Sequence, residues 1–416
     1  MEYGLIFFIS ACVIGLFMAW GVGANDLANI MSTTMGSKAI TVKQAMIIAV
    51  IFEFAGAILG GTHVTNTIRN GIINTSLFTN NPEILVYGMI ATLLSGMVWM
   101  LFASYVGMPV SITNTIVGAL VGFGAVVLGV NAVHWKTVGI IAVSWVCIPI
   151  VAGVASYWLI TIIQRLILST RDPVKSAWIY MPIFFLLVGT VLAMMTVMKD
   201  LARFGYHPDG LHKLMIVFGT ALIIMFFGLY LCKQIPLQKN LKRYKQFKYV
   251  EKMFGVLMAF TACAMVYAHG SNDVAIAVGP VAAVYSIVKN HGSILLQDSF
   301  PLWIMVMGCV GVVVGLFMYG HKVIATVGKG ITALTPSRAF AATLAAASAV
   351  IISTSAGIPV SATQTLVGGV FGVGLARGIG ALNLNVIRNI FLSWFVTVPA
   401  AALLAILFFN IINWLI

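Results

Sequence analysis

The heptapeptide Gly-Ala-Asn-Asp-Leu-Ala-Asn occupies residues 23–29, directly after an apolar stretch that begins near the N-terminus. A close copy, Gly-Ser-Asn-Asp-Val-Ala-Ile, occupies residues 270–276. A second pair follows in the same order, because Pro-Val-Ser-Ile-Thr-Asn-Thr-Ile-Val-Gly at 109–118 recurs as Pro-Val-Ser-Ala-Thr-Gln-Thr-Leu-Val-Gly at 359–368. Two polar motifs that recur in order within apolar sequence predict a chain made of two related copies.

A weaker third match lies between the two motif pairs, where Thr62–Gly71 resembles His321–Gly330. The matches predict three parts along the chain. The first copy covers 1–131, connecting helices and a basic linker cover 132–252, and the second copy covers 253–416.

The sequence around the motifs is that of a membrane protein. Hydrophobic residues make up 61% of the 416 residues and charged residues only 8%, and the mean hydropathy is +1.06. A soluble protein of this length needs a larger charged surface, whereas about 20 apolar residues suffice for a helix to cross a bilayer. Hydropathy predicts twelve spans, near 4–22, 43–61, 84–107, 110–130, 138–163, 177–197, 214–231, 253–269, 297–318, 339–357, 360–381 and 388–414.

The net charge of +13 would suggest a nucleic-acid partner in a soluble protein, but here the positive-inside rule explains it. Basic residues are densest in segment 233–252, which we predict to be a cytoplasmic linker. A binding patch for nucleic acid or anionic lipid is the alternative interpretation of that segment. Alternating outward from the linker places most of the 23 basic residues inside and both chain ends outside.

The two copies then begin on opposite sides of the membrane, because an odd number of predicted crossings separates their starts. Inverted repeats with interrupted helices are a common plan for secondary transporters, whose sites lie near the middle of the membrane. We therefore predict an all-α polytopic membrane protein with about twelve transmembrane helices in two inverted repeats, with interrupted half-helices. The plasma membrane is the expected location.

Two sequence features argue against other classes. The N-terminus carries Glu2 and no basic region, so we expect the first helix to be retained rather than cleaved as a signal peptide. The five cysteines are scattered in apolar runs without metal spacing or a disulfide pattern, so we interpret them as packing residues.

Asp26 and Asp273 are predicted to bind a coupling cation. A carboxylate at membrane depth costs roughly 2.5–3.5 kcal/mol on insertion scales, and sodium or a proton would offset its charge. Asn25 and Asn272 add amide oxygens, and the motif glycines would let the backbone unwind and offer carbonyls. The alternative is that each aspartate caps a half-helix.

Glu53 is a third candidate for the cation site. It could be a proton site, a sodium ligand or a bonded structural group, and its counterpart in the second copy is Val312. His269 stands just before the second acidic motif, and its sequence position fits either a protonation sensor or a helix cap.

The Pro-Val-Ser-x-Thr motifs are predicted to bind an anion. Proline favours the first turn of a helix, where free N–H groups and the positive end of the dipole attract negative charge. Two half-helices from inverted copies would hold one tetrahedral oxyanion from both sides. The alternative is that the hydroxyls bond carbonyls of their own helix. The candidate hydroxyls are Ser111, Thr113, Thr115, Ser361, Thr363 and Thr365.

At these motifs the sequence resembles the inorganic phosphate transporter family, over almost the whole chain. The resemblance implies uptake of inorganic phosphate across the plasma membrane, coupled to sodium or protons, with no other cofactor. It also implies that Asn25, Asp26, Asn272 and Asp273 serve the substrate and cation sites. The residues that it assigns to a phosphate clasp are Ser111, Thr113, Ser361 and Thr363. Family members also include metal–phosphate carriers, sulfate permeases and homodimers, so these remain open here.

The sequence departs from the family pattern mainly in the second copy. Ile276 stands where a second asparagine is usual, and Val312 where a second glutamate is expected. Ile112 and Ala362 replace a further hydroxyl, and the positions where histidine is frequent hold Asn114 and Gln364. These changes leave the coupling ion, the stoichiometry and the choice of oxyanion open.

Three other functions are weighed against phosphate symport. A sulfate or other oxyanion permease would use the same hydroxyls and amides. A phosphate channel would need a continuous pore instead of two matched gates. A membrane enzyme acting on lipid phosphate would need a cluster of His, Asp and Arg in a loop, and the sequence shows none.

Overall fold

The computed structural model describes residues 4–195, 209–236, 242–294, 301–320 and 333–416. These ranges are helical and contain no β-strand, only one isolated bridge between Ile73 and Val133. The prediction of an all-α polytopic membrane protein is confirmed. The weak match at 321–330 and parts of the spans predicted at 177–197 and 297–318 lie outside the described residues.

The part before the basic linker contains nine α-helices among the described residues. They are α1 (Gly4–Val22), α2 (Ala28–Gly36), α3 (Val42–Gly60), α4 (Thr62–Asn66), α5 (Pro82–Val106), α6 (Ile112–Val127), α7 (Trp135–Ile163), α8 (Pro173–Met195) and α9 (Gly210–Lys233). The helices that follow are α10 (Arg243–His269), which begins within the linker, α11 (Ala275–Lys289), α12 (Leu302–Tyr319), α13 (Pro336–Ser355), α14 (Ala362–Ala376) and α15 (Leu384–Leu415).

Ten helical segments of the described chain are long and apolar enough to cross a membrane. The spans predicted at 110–130 and 360–381 correspond instead to the two shorter apolar helices, α6 and α14. The twelve predicted segments are thus present as ten long helices and two half-helices.

Each half-helix is the returning arm of a helical hairpin. Gly88 of α5 faces the ring of Phe123 in α6, so α6 runs back to the end of the bundle where α5 began. Gly369 of α14 packs in the same way on Ala342 of α13. The turns begin with Gly107 and with Gly357, whose φ angles of 77° and 72° are left-handed and favour glycine.

The acidic motifs do not unwind the helix, which corrects the expectation from sequence. Residues Gly23–Leu27 and Gly270–Val274 each form one π-helical turn, so the chain stays helical through both motifs. A Cβ at Gly23 would overlap the backbone carbonyl of Val312, and one at Gly270 would overlap that of Glu53. The motif glycines therefore permit close helix packing, and they place Glu53 and Val312 in equivalent positions.

The half-helix of each copy packs on a helix from the other half of the chain. Gly118 of α6 lies against Val398 of α15, and Gly368 of α14 lies against Pro149 of α7. Both motif-bearing helix starts are consequently held in the interior of the bundle.

Aromatic contacts place the two chain ends at the same end of the bundle. The ring centroids of Phe7 and Tyr87 are 5.2 Å apart, and so are those of Phe123 and Phe409. Because Phe123 also faces Gly88, one position after Tyr87, the start of α1 and the end of α15 lie at the same end of the bundle. The membrane face on which they lie remains a prediction.

Candidate functional site

The two motif asparagines hold the extended segments that precede the half-helices. Asn25 donates from Nδ2 to the Met108 carbonyl (2.8 Å) and accepts at Oδ1 from the Val110 N–H (3.0 Å). Asn272 does the same with the backbone of Val360, at 2.6 and 3.3 Å. In this conformation both amides therefore position the anion motifs.

Asp26 joins the two half-helices. Its Oδ2 accepts from the Ile112 N–H at the start of α6 (3.0 Å), and its Oδ1 accepts from the Thr363 hydroxyl in the first turn of α14 (2.6 Å). The side chain is 1% exposed. The carboxylate caps a half-helix, as the alternative interpretation held, but that half-helix is α6 and not its own helix. A negative group thus occupies donors of the predicted anion site.

Asp273 occupies the equivalent position but has different partners. Its Oδ1 accepts from the Asn272 Nδ2, and its Oδ2 lies 3.2 Å from the Nε2 of His269, without hydrogen-bond alignment. The His269 Nδ1 lies 2.7 Å from the Glu53 Oε1. Within the described residues, no donor of α14 reaches Asp273. The two copies are therefore not in the same state.

Glu53 and His269, whose roles the sequence left open, form a buried side-chain pair. Both are 0% exposed, and the histidine ring lies between two carboxylates instead of capping a helix. The sequence signal was the spacing, since His269 precedes Asp273 by four residues and so shares its helix face. Glu53 comes from α3, and among the described residues its carboxylate contacts the site through His269.

Ser111 and Ser361 begin the two half-helices as N-caps. The Ser111 Oγ accepts from the Asn114 N–H (3.3 Å), and the Ser361 Oγ accepts from the Gln364 N–H (3.1 Å). Both serines are at most 4% exposed. Their hydroxyl oxygens stabilise the helix starts, where the remaining N–H groups favour an anion.

The threonines divide into two kinds. Thr115 and Thr365 donate to the carbonyls four residues earlier, at 2.8 and 2.7 Å, so the local alternative describes them. Thr113 and Thr363 reach across to the other copy. Thr113 donates to the Val360 carbonyl (2.8 Å), whereas Thr363 donates to Asp26.

The negative charge of the site exceeds its positive charge when the acids are ionised. Three carboxylates, those of Asp26, Glu53 and Asp273, face one histidine that can carry at most one positive charge. Buried charges without partners are costly. The described residues contain no cluster of three or more His, Cys, Asp or Glu side chains that could hold a metal ion.

Asn29 is a further polar group beside the site. It is 0% exposed, and neither of its amide atoms has a hydrogen-bond partner in the described part of the chain. Its counterpart is Ile276, so the second copy lacks this group. Since buried polar atoms nearly always have partners, Asn29 is a candidate ligand.

Comparison with known proteins finds relatives over almost the whole chain. The model of the phosphate transporter family matches residues 22–405. A Haemophilus influenzae protein provisionally named a phosphate permease is 45% identical over 412 residues, covering 99% of this chain and 98% of that protein. The Arabidopsis thaliana protein inorganic phosphate transporter 2-1, chloroplastic, is 38% identical, covering 95% of this chain and 70% of that protein.

A solved structure has the same fold. It is described as the sodium-dependent phosphate transporter, and it matches with a TM-score of 0.88 and 34% sequence identity, over 99% of this chain and 100% of that one. These relatives are transporters, so the enzyme alternative is set aside. By its family match and its relatives, the chain belongs to the phosphate transporter family.

Proposed function

We propose that the protein is a symporter that carries inorganic phosphate together with sodium by alternating access. The observation that carries the proposal is the position of Asp26. Its carboxylate accepts from the Ile112 N–H and the Thr363 hydroxyl, which are donors that a phosphate oxygen would need. Phosphate and Asp26 therefore compete for the same donors.

The competition explains how a cation would be coupled to phosphate. When phosphate takes the two donors, the Asp26 carboxylate loses them inside a membrane, where an unpaired charge is costly. A cation bound to the freed carboxylate would offset that cost. Each ligand then favours the binding of the other.

Sodium is favoured over the proton as the coupling ion. The neighbour with the same fold is described as sodium-dependent. Carboxylate and amide oxygens are also ligands that a hard cation prefers. Asp26, Asp273, Asn25, Asn272 and Glu53 are the proposed ligands, each entering coordination as its present partner is released.

The difference between the two copies supports alternating access. Asp26 contacts the start of α6, while Asp273 is turned to His269 and Asn272. In an inverted repeat, exchanging these two arrangements would open the site to the opposite face. The proposal includes a plasma-membrane location with both chain ends outside, which the basic linker 233–252 supports through the positive-inside rule.

We predict that phosphate uptake into proteoliposomes needs a cation gradient and is electroneutral or carries net positive charge inward. Labelled phosphate should accumulate above equilibrium when an inward sodium gradient is imposed at equal pH on both sides. A pH gradient imposed alone separates proton coupling from sodium coupling. Phosphate that only equilibrates, whichever ion gradient is imposed, would show a channel.

The same vesicles can test which anion is transported. Unlabelled sulfate should compete weakly, because phosphate can donate a proton to a site carboxylate and sulfate cannot. Equal competition would favour an oxyanion permease. Uptake with and without added magnesium separates free phosphate from a metal–phosphate complex, and cross-linking in the vesicles tests for a homodimer.

A further inference from the structure

The segment 62–71, which the sequence singled out by its weak repeat, links two parts of the second copy. It forms α4 and a π-helical turn at Thr67–Gly71. The Thr65 Oγ1 lies 3.2 Å from the carbonyl oxygen of Ala275, the first residue of α11. The Thr67 hydroxyl donates to the carbonyl of Gly357 (2.8 Å), at the tip of the hairpin formed by α13 and α14. The segment therefore joins the end of the second acidic motif to the tip of the second hairpin.

Packing on α11 gives the depth of this segment in the membrane. Ile68 packs on Gly279, which lies ten residues before Lys289, the last residue of α11. That end of α11 lies beside the start of α1, because the ring centroids of Tyr285 and Phe8 are 5.6 Å apart. At 1.5 Å per residue, Ile68 is about 15 Å below the face on which the chain ends lie. Segment 62–71 is therefore within the membrane, between that face and the site.

One side of α4 is polar and exposed at this depth. His63 and Asn66 are exposed and Thr67 is half-buried, and their spacing places them on the same side of the helix. On the opposite side, Val64 and Ile68 are at most 1% exposed and pack in the core. Polar side chains within a membrane face water-filled cavities and not lipid. The exposed side of α4 therefore indicates a water-filled vestibule.

The vestibule ends at the hairpin tip. Gly357 is half-buried, whereas Ser361, four residues further at the start of α14, is only 4% exposed. The hydrogen bond from Thr67 to Gly357 thus lies between exposed polar side chains and the buried anion motif. We propose that phosphate enters along segment 62–71 and that the contact between Thr67 and Gly357 is the gate on the chain-end side. This inference rests on the proposed transport function and adds a route and a gate to it.

Cysteine labelling of the full-length protein in sealed vesicles tests the vestibule. The reagent is a charged, membrane-impermeant methanethiosulfonate, and the wild-type protein with its five cysteines gives the background. Thiols react as thiolates, which need water, so His63→Cys and Asn66→Cys should react within about tenfold of the rate of Asn131→Cys. Asn131 is exposed after α6 and marks the chain-end face. Ile51→Cys is the bilayer control, because Ile51 is 56% exposed on α3, and it should stay unlabelled.

A disulfide tests the gate. A Cβ at Gly357 would lie 3.9 Å from the Cβ of His63, which is within the range of a disulfide. Oxidation of the double variant His63→Cys/Gly357→Cys should therefore link the two positions, as detected by mass spectrometry of the joined peptides. The link should abolish phosphate uptake, and a reductant should restore it. Each single variant is oxidised in parallel, which controls for oxidation and for the left-handed position of residue 357.

A second pair of variants tests the gate without transport. Thr67→Val keeps the side-chain shape and removes the hydroxyl that bonds Gly357. Loss of one hydrogen bond should make Ser361→Cys, behind the gate, react about two- to tenfold faster with the same reagent. Thr65→Val is the matched control, because its hydroxyl lies against α11 and not against the hairpin tip. This control should leave the labelling rate of Ser361→Cys unchanged.

Each part of the proposal has its own contrary result. Failure to label both His63→Cys and Asn66→Cys would show that lipid or a second copy covers this side of α4. Uptake that survives the disulfide, a disulfide that does not form, or equal effects of the two valine variants would each exclude the gate. A wild-type protein that does not transport phosphate would instead overturn the proposed function, and the labelling rates would still decide whether the vestibule and the gate exist.

Discussion

Asp26→Asn and Asp273→Asn are each expected to abolish sodium-driven accumulation of phosphate while the protein still inserts and folds. The change removes the charge that attracts the cation but keeps the side-chain shape and one carbonyl oxygen. Asp26→Asn should lose coupling most directly. Its amide oxygen still accepts from the Ile112 N–H, but the neutral side chain needs no cation when phosphate displaces it from that donor. The measurement is labelled phosphate uptake under an imposed sodium gradient, normalised to the amount of inserted protein.

The control for these variants is Asp209→Asn. Asp209 caps α9 through the His212 N–H, its side chain is 69% exposed, and asparagine caps helices equally well. This control should transport at the wild-type rate. If the Asp26 and Asp273 variants matched it and kept their sodium dependence, both carboxylates would be structural caps and the coupling proposal would fail.

Thr363→Val is expected to uncouple phosphate binding from sodium binding. The Thr363 hydroxyl is one of the two donors that Asp26 and phosphate are proposed to share, at 2.6 Å from the carboxylate. Valine has the same shape without the hydroxyl, so it ends the competition at that donor. Coupling between two ligands is typically about 1–3 kcal/mol, or about 5–150-fold in affinity. Sodium raises phosphate affinity in the wild-type protein, and we expect Thr363→Val to lose most of that gain.

Thr113→Val is the matched comparison from the other copy. The Thr113 hydroxyl donates to the neutral Val360 carbonyl and not to a carboxylate, so its loss should cost only about 0.5–1.5 kcal/mol and preserve the sodium effect. Both variants are titrated with phosphate, with and without sodium, at constant ionic strength. A sodium effect that survives in Thr363→Val, or that disappears equally in both, would contradict the shared-donor account.

The sequence was sufficient to predict the helical membrane fold, the two copies and the polar motifs at their centre. Polar motifs within apolar sequence are strongly constrained, because buried polar groups need partners. The half-helices also followed from the Pro-Val-Ser pattern. Hydropathy alone could not show that α5 and α6 form a hairpin in the bundle, since both arms are apolar.

The conformation of the acidic motifs could not be predicted from their glycines. Glycine serves equally in an unwound segment and where two backbones approach closely. Only the packing of Gly23 on Val312 shows which use applies here. The hydrogen bond from Thr363 to Asp26 could not be predicted either, because it joins residues of different copies that lie 337 positions apart in the sequence and meet only in three dimensions.

The packing of α7 bears on where the first copy ends. The sequence predicts a first copy that ends at residue 131, with α7 among the connecting helices. However, α7 packs on α14 as α15 packs on α6, and both carry a Ser-Trp pair, at 144–145 and 393–394. We propose that the first copy extends through α7.

The most direct test of the account is reciprocal linkage in the purified wild-type protein. Phosphate affinity is measured over a series of sodium concentrations, with choline keeping the ionic strength constant, and sodium affinity is measured over a series of phosphate concentrations. We expect each ligand to raise the affinity for the other by the same factor, as linkage requires, and Asp26→Asn to remove both effects. Phosphate affinity that is independent of sodium would contradict it.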